Sequence, residues 1–454
     1  MARRNRSPIG LMLVFGAIIA GAIFVYTSSM FERIVPTVKV DTNGYWNLKE
    51  ALNVTMKDNV GIKSYKITMH TSSDELVLEE EQFLDPKESV ELEIKPPRSI
   101  YSLRDKYVKI RIYVQDSSQW KLGKGNQIVK DYKLFIDKKR PKINIIANSY
   151  KISKGGSAIV IFKVQDENID EIYIEANNKK RFKPQPFYKE GYYISLLAWP
   201  IYDDSFRATV IAKDFAGNKA KSYMPLYLKE KNYKVSNIKL SDKFLDGKIA
   251  DLAEEFEETQ GVDDKIEQFR IINEEVRAKN EKLIHELSSK VSDEMISDFK
   301  VNKMYPLKNA QVVAHFGDHR KYFYDGEEVS EAYHVGLDLA SNAMAKIKPQ
   351  NSGDVVFADY NGLYGNMPMI SHGLGLYTIY GHCSSLKVSE DDHVNARKTI
   401  ANTGKSGYAM GDHLHFGVLV QGIEVRRQEW MDRTWMKLNI TNVIRNAKKI
   451  INRN

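Results

Sequence analysis

The stretch 411-GDHLHFGV-418 places two histidines, His413 and His415, two residues apart. Successive side chains of a β-strand point to opposite faces, so these two imidazoles share one face. Leu414 and Phe416 then point to the other face, towards a core. The stretch therefore predicts a strand of a β-sheet domain that carries a pair of imidazoles on one side.

Two further motifs with polar side chains precede this stretch. The motif HVGLD contains His334 and Asp338, and their even spacing places both on one face of a strand. The motif LYTIYGH alternates along a strand and ends on His382. Eight of the ten histidines lie between residues 315 and 415. This clustering indicates chemistry, although a lone H-x-H pair is commonly an ordinary polar face.

Two imidazoles and one carboxylate are a ligand set that suits a zinc ion with one open position for water. His334, Asp338 and one member of the His413/His415 pair would supply it. The helical motif H-E-x-x-H is absent, so the site is expected on a β-sheet. The chain has one cysteine, Cys383, which rules out an intramolecular disulfide framework and a cysteine-rich zinc finger.

In this order the three motifs resemble the lysostaphin/LytM-type zinc metallopeptidases. The resemblance covers residues 305–439 and includes the stretches SHGLGLYTIYGHCSSL and ANTGKSGYAMGDHLHFGV. The resemblance implies that three residues bind zinc: His334, Asp338 and His415. It also implies a catalytic pair beside the metal, His382 and His413. The visible departure is Cys383, where a leucine commonly follows the Gly-His.

The family cleaves peptide bonds in the stems and cross-bridges of bacterial peptidoglycan, so the resemblance implies a peptidoglycan endopeptidase, with D,D cross-links as the expected substrate. We assign His413 as the general base and His382 as the partner of the oxyanion and leaving group, and the reverse assignment stays open. Some relatives of this fold activate a separate cell-wall hydrolase without hydrolysing anything. The alternatives are therefore a non-hydrolytic regulator and a structural membrane protein that contains the domain.

The N-terminal segment predicts a membrane anchor. An apolar run from Ile9 to Tyr26 follows three arginines, and eighteen residues of helix span about 27 Å, close to a bilayer core of ~30 Å. Because basic residues flank the cytoplasmic end, residues 1–8 are expected in the cytoplasm and the catalytic domain in the periplasm, beside the inner membrane. The alternative is a signal peptide cleaved near Ala20-Gly21-Ala22.

The middle of the chain predicts β-structure followed by helices. Alternating apolar residues and a weak repeat that opens at Pro36 and Pro141 indicate two immunoglobulin-like β modules, which we expect to be spacers. Helical spacing of apolar residues follows, with a break at Gly261. The expected boundaries are a cytoplasmic tail at 1–8, a transmembrane signal anchor at 9–28, β-sandwich modules at 36–140 and 141–235, a helical connector at 241–299, a metallopeptidase domain at 300–440 and a basic C-terminal tail at 441–454.

The composition fits a folded, mainly β protein with these parts. The 67 basic and 59 acidic residues of the 454-residue chain give a net charge of +8, which is a mixed surface and not a nucleic-acid-binding stripe. We therefore expect peptidoglycan, the inner membrane and protein regulators as partners, and no nucleic acid.

Overall fold

The structure, a computed structural model, describes residues 8–97 and 103–453. It is mainly β, with an apolar helix near the N-terminus and a β-sheet domain near the C-terminus, which confirms the predicted fold class. Helix α1 (Pro8–Thr27) contains the segment Ile9–Thr27, which is long and apolar enough to cross a membrane. The arginines of the expected cytoplasmic tail lie outside the described residues.

The described chain divides into two compact units, and residues up to 141, 166–170 and 213–219 form the first. Its sheet has six strands in the order β1-β3-β5-β6-β2, with β4 paired to β3. The strands are β1 (Thr37–Asp41), β2 (Tyr45–Trp46), β3 (Leu52–His70), β4 (Glu75–Ile94), β5 (Tyr107–Asp116) and β6 (Gln127–Ile136), with the short turn α2 (Trp120–Gly123) before β6. The alternating apolar residues of these strands form one hydrophobic core.

Strand β3 is irregular at its centre, between Asp58 and Gly61. Its first half pairs with β1 and its second half with β5, and the register shifts between them. Gly61 has a φ of +100°, and a Cβ there would lie 2.7 Å from the Cβ of Pro86. Glycine is required here because both the backbone angle and the approach of Pro86 exclude a side chain.

The second unit begins with two four-stranded sheets in the orders β11-β10-β14-β15 and β12-β13-β9-β7, and β16 pairs with β8. The strands are β7 (Lys142–Asn148), β8 (Lys151–Ser153), β9 (Ser157–Gln165), β10 (Ile169–Ala176), β11 (Arg181–Phe182), β12 (Gln185–Pro186), β13 (Tyr192–Ala198), β14 (Ala208–Asp214), β15 (Lys219–Tyr223) and β16 (Tyr227–Lys229). Strand β9 is buried along most of its length, as expected for a strand covered on both faces.

The helical connector predicted from the sequence is present. Its helices are α3 (Asp242–Phe244), α4 (Ala250–Glu255), α5 (Lys265–Ile271) and α6 (Arg277–Ser288), with short π-helices at Leu245–Ile249 and Ile272–Val276. Phe269 packs in one cluster with Tyr322 and Leu363 of the C-terminal domain. The Oδ1 atom of Asn280 accepts a hydrogen bond of 2.8 Å from the backbone N–H of Leu363. The apolar stripe of the connector therefore packs against that domain.

The C-terminal domain is built on one large sheet. The strand order is β18-β21-β29-β25-β24-β23-β27, with β30 on β29, and two small sheets, β17-β19-β20 and β22-β28-β26, flank it. The strands are β17 (Val235–Lys239), β18 (Gln311–Ala314), β19 (Asp318–Tyr324), β20 (Glu327–His334), β21 (Leu337–Ala340), β22 (Lys346–Ile347), β23 (Gly353–Tyr360), β24 (Asn366–Ser371), β25 (Leu376–Gly381), β26 (Ser385–Leu386), β27 (His393–Val394), β28 (Ala401–Asn402), β29 (Leu414–Val420) and β30 (Ile423–Glu424).

The chain ends in helices α7 (Gln428–Met431), α8 (Arg433–Met436) and α9 (Asn442–Ile451), with a π-turn at Lys437–Thr441. The expected basic tail thus contains a helix, and α9 buries its apolar side, including Ala447 and Ile451. The domain boundaries expected from the sequence stay a prediction.

Within the second unit, the β module and the C-terminal domain share a buried polar contact. The carboxylate of Glu429 accepts a hydrogen bond of 2.8 Å from the backbone N–H of Ser157, and the indole N–H of Trp430 donates to the Ser157 hydroxyl at 3.2 Å. A Cβ on Gly156 would lie 2.6 Å from a carboxylate oxygen of Glu429, so only glycine fits there. Burial raises the pKa of Glu429 from its ordinary value of 4.5 to about 7, against the opposing effect of Arg426.

This raised pKa predicts a pH-dependent stability. Folded Glu429 holds its proton up to about pH 7, whereas the unfolded chain releases it near pH 4.5. The contribution of Glu429 to the free energy of unfolding is therefore largest below pH 4.5 and falls as the pH rises to 7. The loss is about 3 kcal/mol for a shift of this size. Glu429→Gln should flatten the decline between pH 5 and pH 8 in urea unfolding followed by tryptophan fluorescence. Glu286→Gln, at an exposed position, is the control, and an unchanged slope in Glu429→Gln would contradict the assignment.

Candidate metal centre

Three strands bring the motif residues together at one end of the large sheet. Asp338 lies directly opposite His415 in the antiparallel pairing of β21 with β29, and Gly381 of β25 lies opposite His415 on its other side. His334 is the last residue of β20, in a neighbouring small sheet. The expectation that His334 and Asp338 share one strand is therefore wrong. The strand is interrupted at 335–336, and the two side chains converge from successive strands.

The ligand-type atoms of His334, Asp338 and His415 all lie within 4.8 Å of one another, and the three residues are largely buried. The Nε2 atom of His334 is 3.0 Å from Asp338 Oδ1 and 3.3 Å from His415 Nδ1, and His415 Nδ1 is 2.9 Å from Asp338 Oδ1. Tetrahedral zinc with bonds of about 2.0–2.1 Å has ligand atoms about 3.3 Å apart, so this donor set fits a zinc ion.

A backbone contact orients His334. Its Nδ1 donates a hydrogen bond of 2.9 Å to the carbonyl oxygen of His315, which leaves the Nε2 lone pair directed at the cluster. His315 therefore contributes to the site through its backbone.

Gly336 makes room for the imidazole of His415. A Cβ on this residue would lie 2.3 Å from both Cε1 and Nε2 of that ring, far inside van der Waals contact. The ring is also held from the other side by Tyr364, whose ring centroid is 5.4 Å away in an edge-to-face arrangement. The glycine between the two motif residues of HVGLD is thus needed for packing of the third candidate ligand.

His382 and His413 lie beside the cluster, with ring centroids 4.8 Å apart. The Nδ1 of His382 donates to the carbonyl oxygen of Ser406 at 2.9 Å, and the Nδ1 of His413 donates to that of Gly411 at 2.8 Å. Each ring therefore keeps its Nε2 lone pair available. His382 follows β25 and has a φ of +62°, a strained angle for a non-glycine residue that is common at functional sites.

The electrostatics of the site favour the ionised form of Asp338. Burial alone would raise the pKa of Asp338, but the charge and hydrogen bonds of His334 and His415 hold it well below its ordinary value. Burial lowers the pKa of His382 to about 3, assisted by His415 and His413. The guanidinium of Arg427 is buried and donates to the backbone oxygen of Gly336 at 3.3 Å, and burial lowers its pKa to about 9.

A cleft of ≈ 640 Å³ opens over the cluster. Both catalytic candidates, His382 and His413, line it together with the three candidate ligands. Leu240, just before the helical connector, and Phe244, within it, also line the cleft. The Phe244 ring lies 6.2 Å from that of Tyr408, in the loop that leads to His413. The connector therefore forms part of the cleft surface.

The remaining candidates have structural partners. Cys383 is buried, its thiol donates to the Tyr380 carbonyl oxygen at 3.1 Å, and burial raises its pKa to about 12, so it is not a thiolate ligand. The histidines outside the cluster form other contacts, which are His70 with Thr68, His285 with Glu424, His319 with Glu331, His372 with Thr378 and His393 with Asp354.

Three residues of the site escaped the sequence analysis. Arg427, Tyr364 and Phe244 belong to no metal-binding motif, and each lies in a different part of the chain. The one sequence signal for Arg427 is that the pair Arg426-Arg427 lies between the apolar residues Val425 and Trp430. A charged pair in apolar surroundings indicates a buried charge. Contacts of this kind depend on tertiary packing.

Two imidazoles and one carboxylate that meet at the end of a large β-sheet define a β-sheet domain with a candidate metal site. Residues 332–427 match the model of Peptidase family M23, so the chain carries a C-terminal domain of this family, the lysostaphin/LytM family. The family is zinc-dependent, in agreement with the donor set.

The chain is similar to proteins that are named for different activities. It is 32% identical over 89 residues to the DD-carboxypeptidase/endopeptidase Mpg of Neisseria meningitidis serogroup B, covering 20% of each chain. It is also 32% identical over 98 residues to the murein hydrolase activator EnvC of Escherichia coli, covering 22% of this chain and 23% of EnvC. The matches therefore span about a fifth of each curated relative.

Among solved structures, a zinc-containing peptidase from Vibrio cholerae aligns with 14% identity and a TM-score of 0.27, covering 77% of this chain and 87% of that one.

The close contact between Gly336 and the His415 ring predicts that adding a methyl group at residue 336 will disturb the candidate zinc ligand. Gly336→Ala should displace the His415 imidazole and lower zinc affinity about tenfold or more, the range for lost support of a ligand. Zinc content after dialysis against a graded chelator measures this. Gly411→Ala is the matched control, because its Cβ would have nothing within 4 Å. Equal zinc retention by both variants would refute the packing role of Gly336.

The position of Phe244 in the cleft predicts that the connector limits access to the site. Phe244→Ala should widen the cleft; for the peptidase activity proposed below, hydrolysis of intact cross-linked peptidoglycan should then rise severalfold, while that of a small soluble cross-linked fragment changes little. Lys243→Ala, at an exposed position of the same helix, is the control. Slower hydrolysis of both substrates by Phe244→Ala would show that this ring binds substrate instead.

Proposed function

We propose that the protein is a membrane-anchored zinc endopeptidase that hydrolyses peptide bonds in peptidoglycan, with D,D cross-links between stems as the preferred substrate. The observation that carries the proposal is the complete site: three candidate ligands in mutual contact and two further imidazoles beside them, all facing one cleft. A regulator that only binds a partner needs none of these five side chains in this arrangement.

His334, Asp338 and His415 would hold the zinc ion. Bound zinc lowers the pKa of a coordinated water towards 7 and polarises the scissile carbonyl. Asp338 supplies the negative charge that favours a cation at this position, and the His315 carbonyl oxygen keeps His334 in the tautomer that presents Nε2.

His413 and His382 would move protons during hydrolysis. With Nδ1–H occupied by a backbone carbonyl, each imidazole offers Nε2 as the proton acceptor. We propose His413 as the general base, since its Nε2 lies 3.8 Å from Asp338 Oδ2, beside the metal position. His382 would then bind the oxyanion and protonate the leaving amine, and it can do so only after it has gained a proton, because its pKa is low. The reverse assignment uses the same orientations.

Helix α1 would hold the protein in the inner membrane, with the peptidase domain on the periplasmic side next to its substrate. A cleaved signal sequence is the alternative for the same helix. A protease-protection assay on intact and permeabilised cells separates these topologies from a cytoplasmic domain, which would contradict the proposal.

Digestion of purified peptidoglycan tests the activity directly. We expect the zinc-loaded protein to release fragments whose masses correspond to cleaved cross-links, and chelator treatment to abolish the release. The second candidate function is activation of a separate hydrolase, which the likeness to EnvC favours. It would be supported if the protein alone released nothing but accelerated a purified cell-wall amidase.

The proposed division of labour predicts two classes of variant. His334→Ala, Asp338→Ala and His415→Ala should each lose zinc, because each removes one of three ligands. His382→Ala and His413→Ala should keep near-normal zinc and lose about 10²–10⁴-fold in rate, the range for general acid–base groups. Zinc content and hydrolysis rate are measured on the same samples. His319→Ala, a histidine outside the cluster, is the control. Zinc loss in His413→Ala equal to that in His415→Ala would refute the division.

A further inference from the structure

A second group of ligand-type atoms lies in the first unit, far along the chain from the histidines. The carboxylates of Glu32, Asp58 and Asp116 each present one oxygen, and these oxygens lie within 4.8 Å of one another. Glu32 belongs to the segment between α1 and β1, Asp58 to the irregular centre of β3, and Asp116 to the end of β5. Three separate parts of the fold thus bring negative charge to one point.

Asp58 has one buried oxygen that lacks a partner. Asp58 exposes 8% of its surface, and its Oδ2 atom accepts hydrogen bonds from the backbone N–H groups of Val60 at 3.0 Å and Gly61 at 2.9 Å. Its Oδ1 atom is shielded from solvent and accepts no hydrogen bond. A buried carboxylate oxygen with no donor is costly, and a cation is the partner that would compensate it.

The groups that do contact the other two carboxylates are neutral. Asp116 accepts hydrogen bonds from the backbone N–H of Ser118 and from both the backbone and side-chain N–H of Asn126. Glu32 accepts from the Asn126 side chain at 2.9 Å and from the backbone N–H of Ile34 at 2.8 Å. Amide donors stabilise each carboxylate singly, but they leave the mutual repulsion of three negative charges uncompensated.

The pKa of Asp58 reflects this environment. Burial raises it above its ordinary value, and the neighbouring charges of Asp116 and Glu32 raise it further.

We propose that Glu32, Asp58 and Asp116 form a binding site for one divalent cation of the calcium class. Calcium takes oxygen ligands at 2.3–2.6 Å, so a single ion can contact oxygens up to about 5 Å apart, which covers the separations here. Magnesium requires bonds of 2.0–2.1 Å in strict octahedral geometry and fits three oxygens this widely spaced less well. The all-carboxylate ligand set also favours calcium over zinc.

The site would fasten the segment that follows the apolar helix to the first β module. The backbone oxygen of Glu32 already accepts hydrogen bonds from the hydroxyl of Ser118 at 2.8 Å and the side chain of Asn126 at 3.1 Å, and Gln119 N–H donates to Met30 O at 2.8 Å. A cation held between Glu32 and the two aspartates would add a charged link to these neutral ones. Residues 28–34 would then be ordered when calcium is bound.

A second cluster in the first unit repeats this arrangement in part. Asp137, Asp166 and Asp214 also come together, and Asn218 donates to both Asp214 and the backbone oxygen of Asp137, as Asn126 does to Asp116 and Glu32. Its aspartates show no buried orphan oxygen among the described residues. The proposal is therefore confined to the first site.

The test measures calcium binding to the full-length, zinc-loaded protein in detergent, by equilibrium dialysis with Ca²⁺ and in parallel with Mg²⁺. The variants are Glu32→Gln and Asp58→Asn, each of which removes one charge and nearly preserves shape. Asp105→Asn is the matched control, because Asp105 also accepts hydrogen bonds from a backbone N–H and a hydroxyl but lies outside the cluster. Hydrogen exchange of residues 28–34 is followed with and without Ca²⁺.

We expect both cluster variants to bind one Ca²⁺ fewer, or to bind it about tenfold more weakly, than the wild type and Asp105→Asn, because ligand charge sets calcium affinity. Exchange at 28–34 should slow with Ca²⁺ in the wild type and in Asp105→Asn, and not in the two cluster variants. No Ca²⁺ binding by the wild type at millimolar concentration would overturn the proposal, as would wild-type Ca²⁺ affinity in Glu32→Gln. Peptidoglycan hydrolysis does not enter either readout.

Discussion

The candidate metal centre depends on one register, the antiparallel pairing that sets Asp338 opposite His415. With His415 on the central strand of three, its neighbours across the sheet are a carboxylate on one side and a glycine on the other. Because side chains alternate along a strand, a slip of one residue would turn the imidazole into the core and bring Leu414 or Phe416 to the cleft. The apolar core on the far side, where both of those residues are fully buried, therefore holds the polar site in place.

The β modules, the helical connector and the candidate site residues could be predicted from the sequence, because each of them leaves a periodic or compositional pattern there. Period-two alternation predicted the β modules, helical spacing predicted the connector, and the clustering of histidines drew attention to the residues that the structure brings together. The break between His334 and Asp338 could not be predicted, since an unbroken strand and two successive strands give the same pattern. Their convergence depends on Gly336, whose importance comes from a ring that lies 79 residues further along the chain.

Other features stayed hidden because they depend on tertiary partners. Arg427 has no motif, and its contact with the Gly336 backbone exists only once the segment after β30 has folded against the sheet. The connector showed an apolar stripe, but only the structure shows that Phe269 packs against Tyr322 and that Phe244 reaches the cleft. Likewise, Glu32, Asp58 and Asp116 are ordinary acidic residues in the sequence, and the unpartnered oxygen of Asp58 is a property of the folded strand.

The contact between Glu429 and Ser157 bears on how such proteins can be rearranged by recombination. A boundary drawn at the start of the histidine-bearing region would leave a buried carboxylate and a tryptophan without the strand that covers them. A transplanted fragment of that kind would carry a freshly exposed apolar and charged surface, and it would aggregate. The smallest portion that could be moved between proteins intact therefore begins with the second β module. In an evolutionary lineage, that module and the peptidase domain should therefore be inherited together.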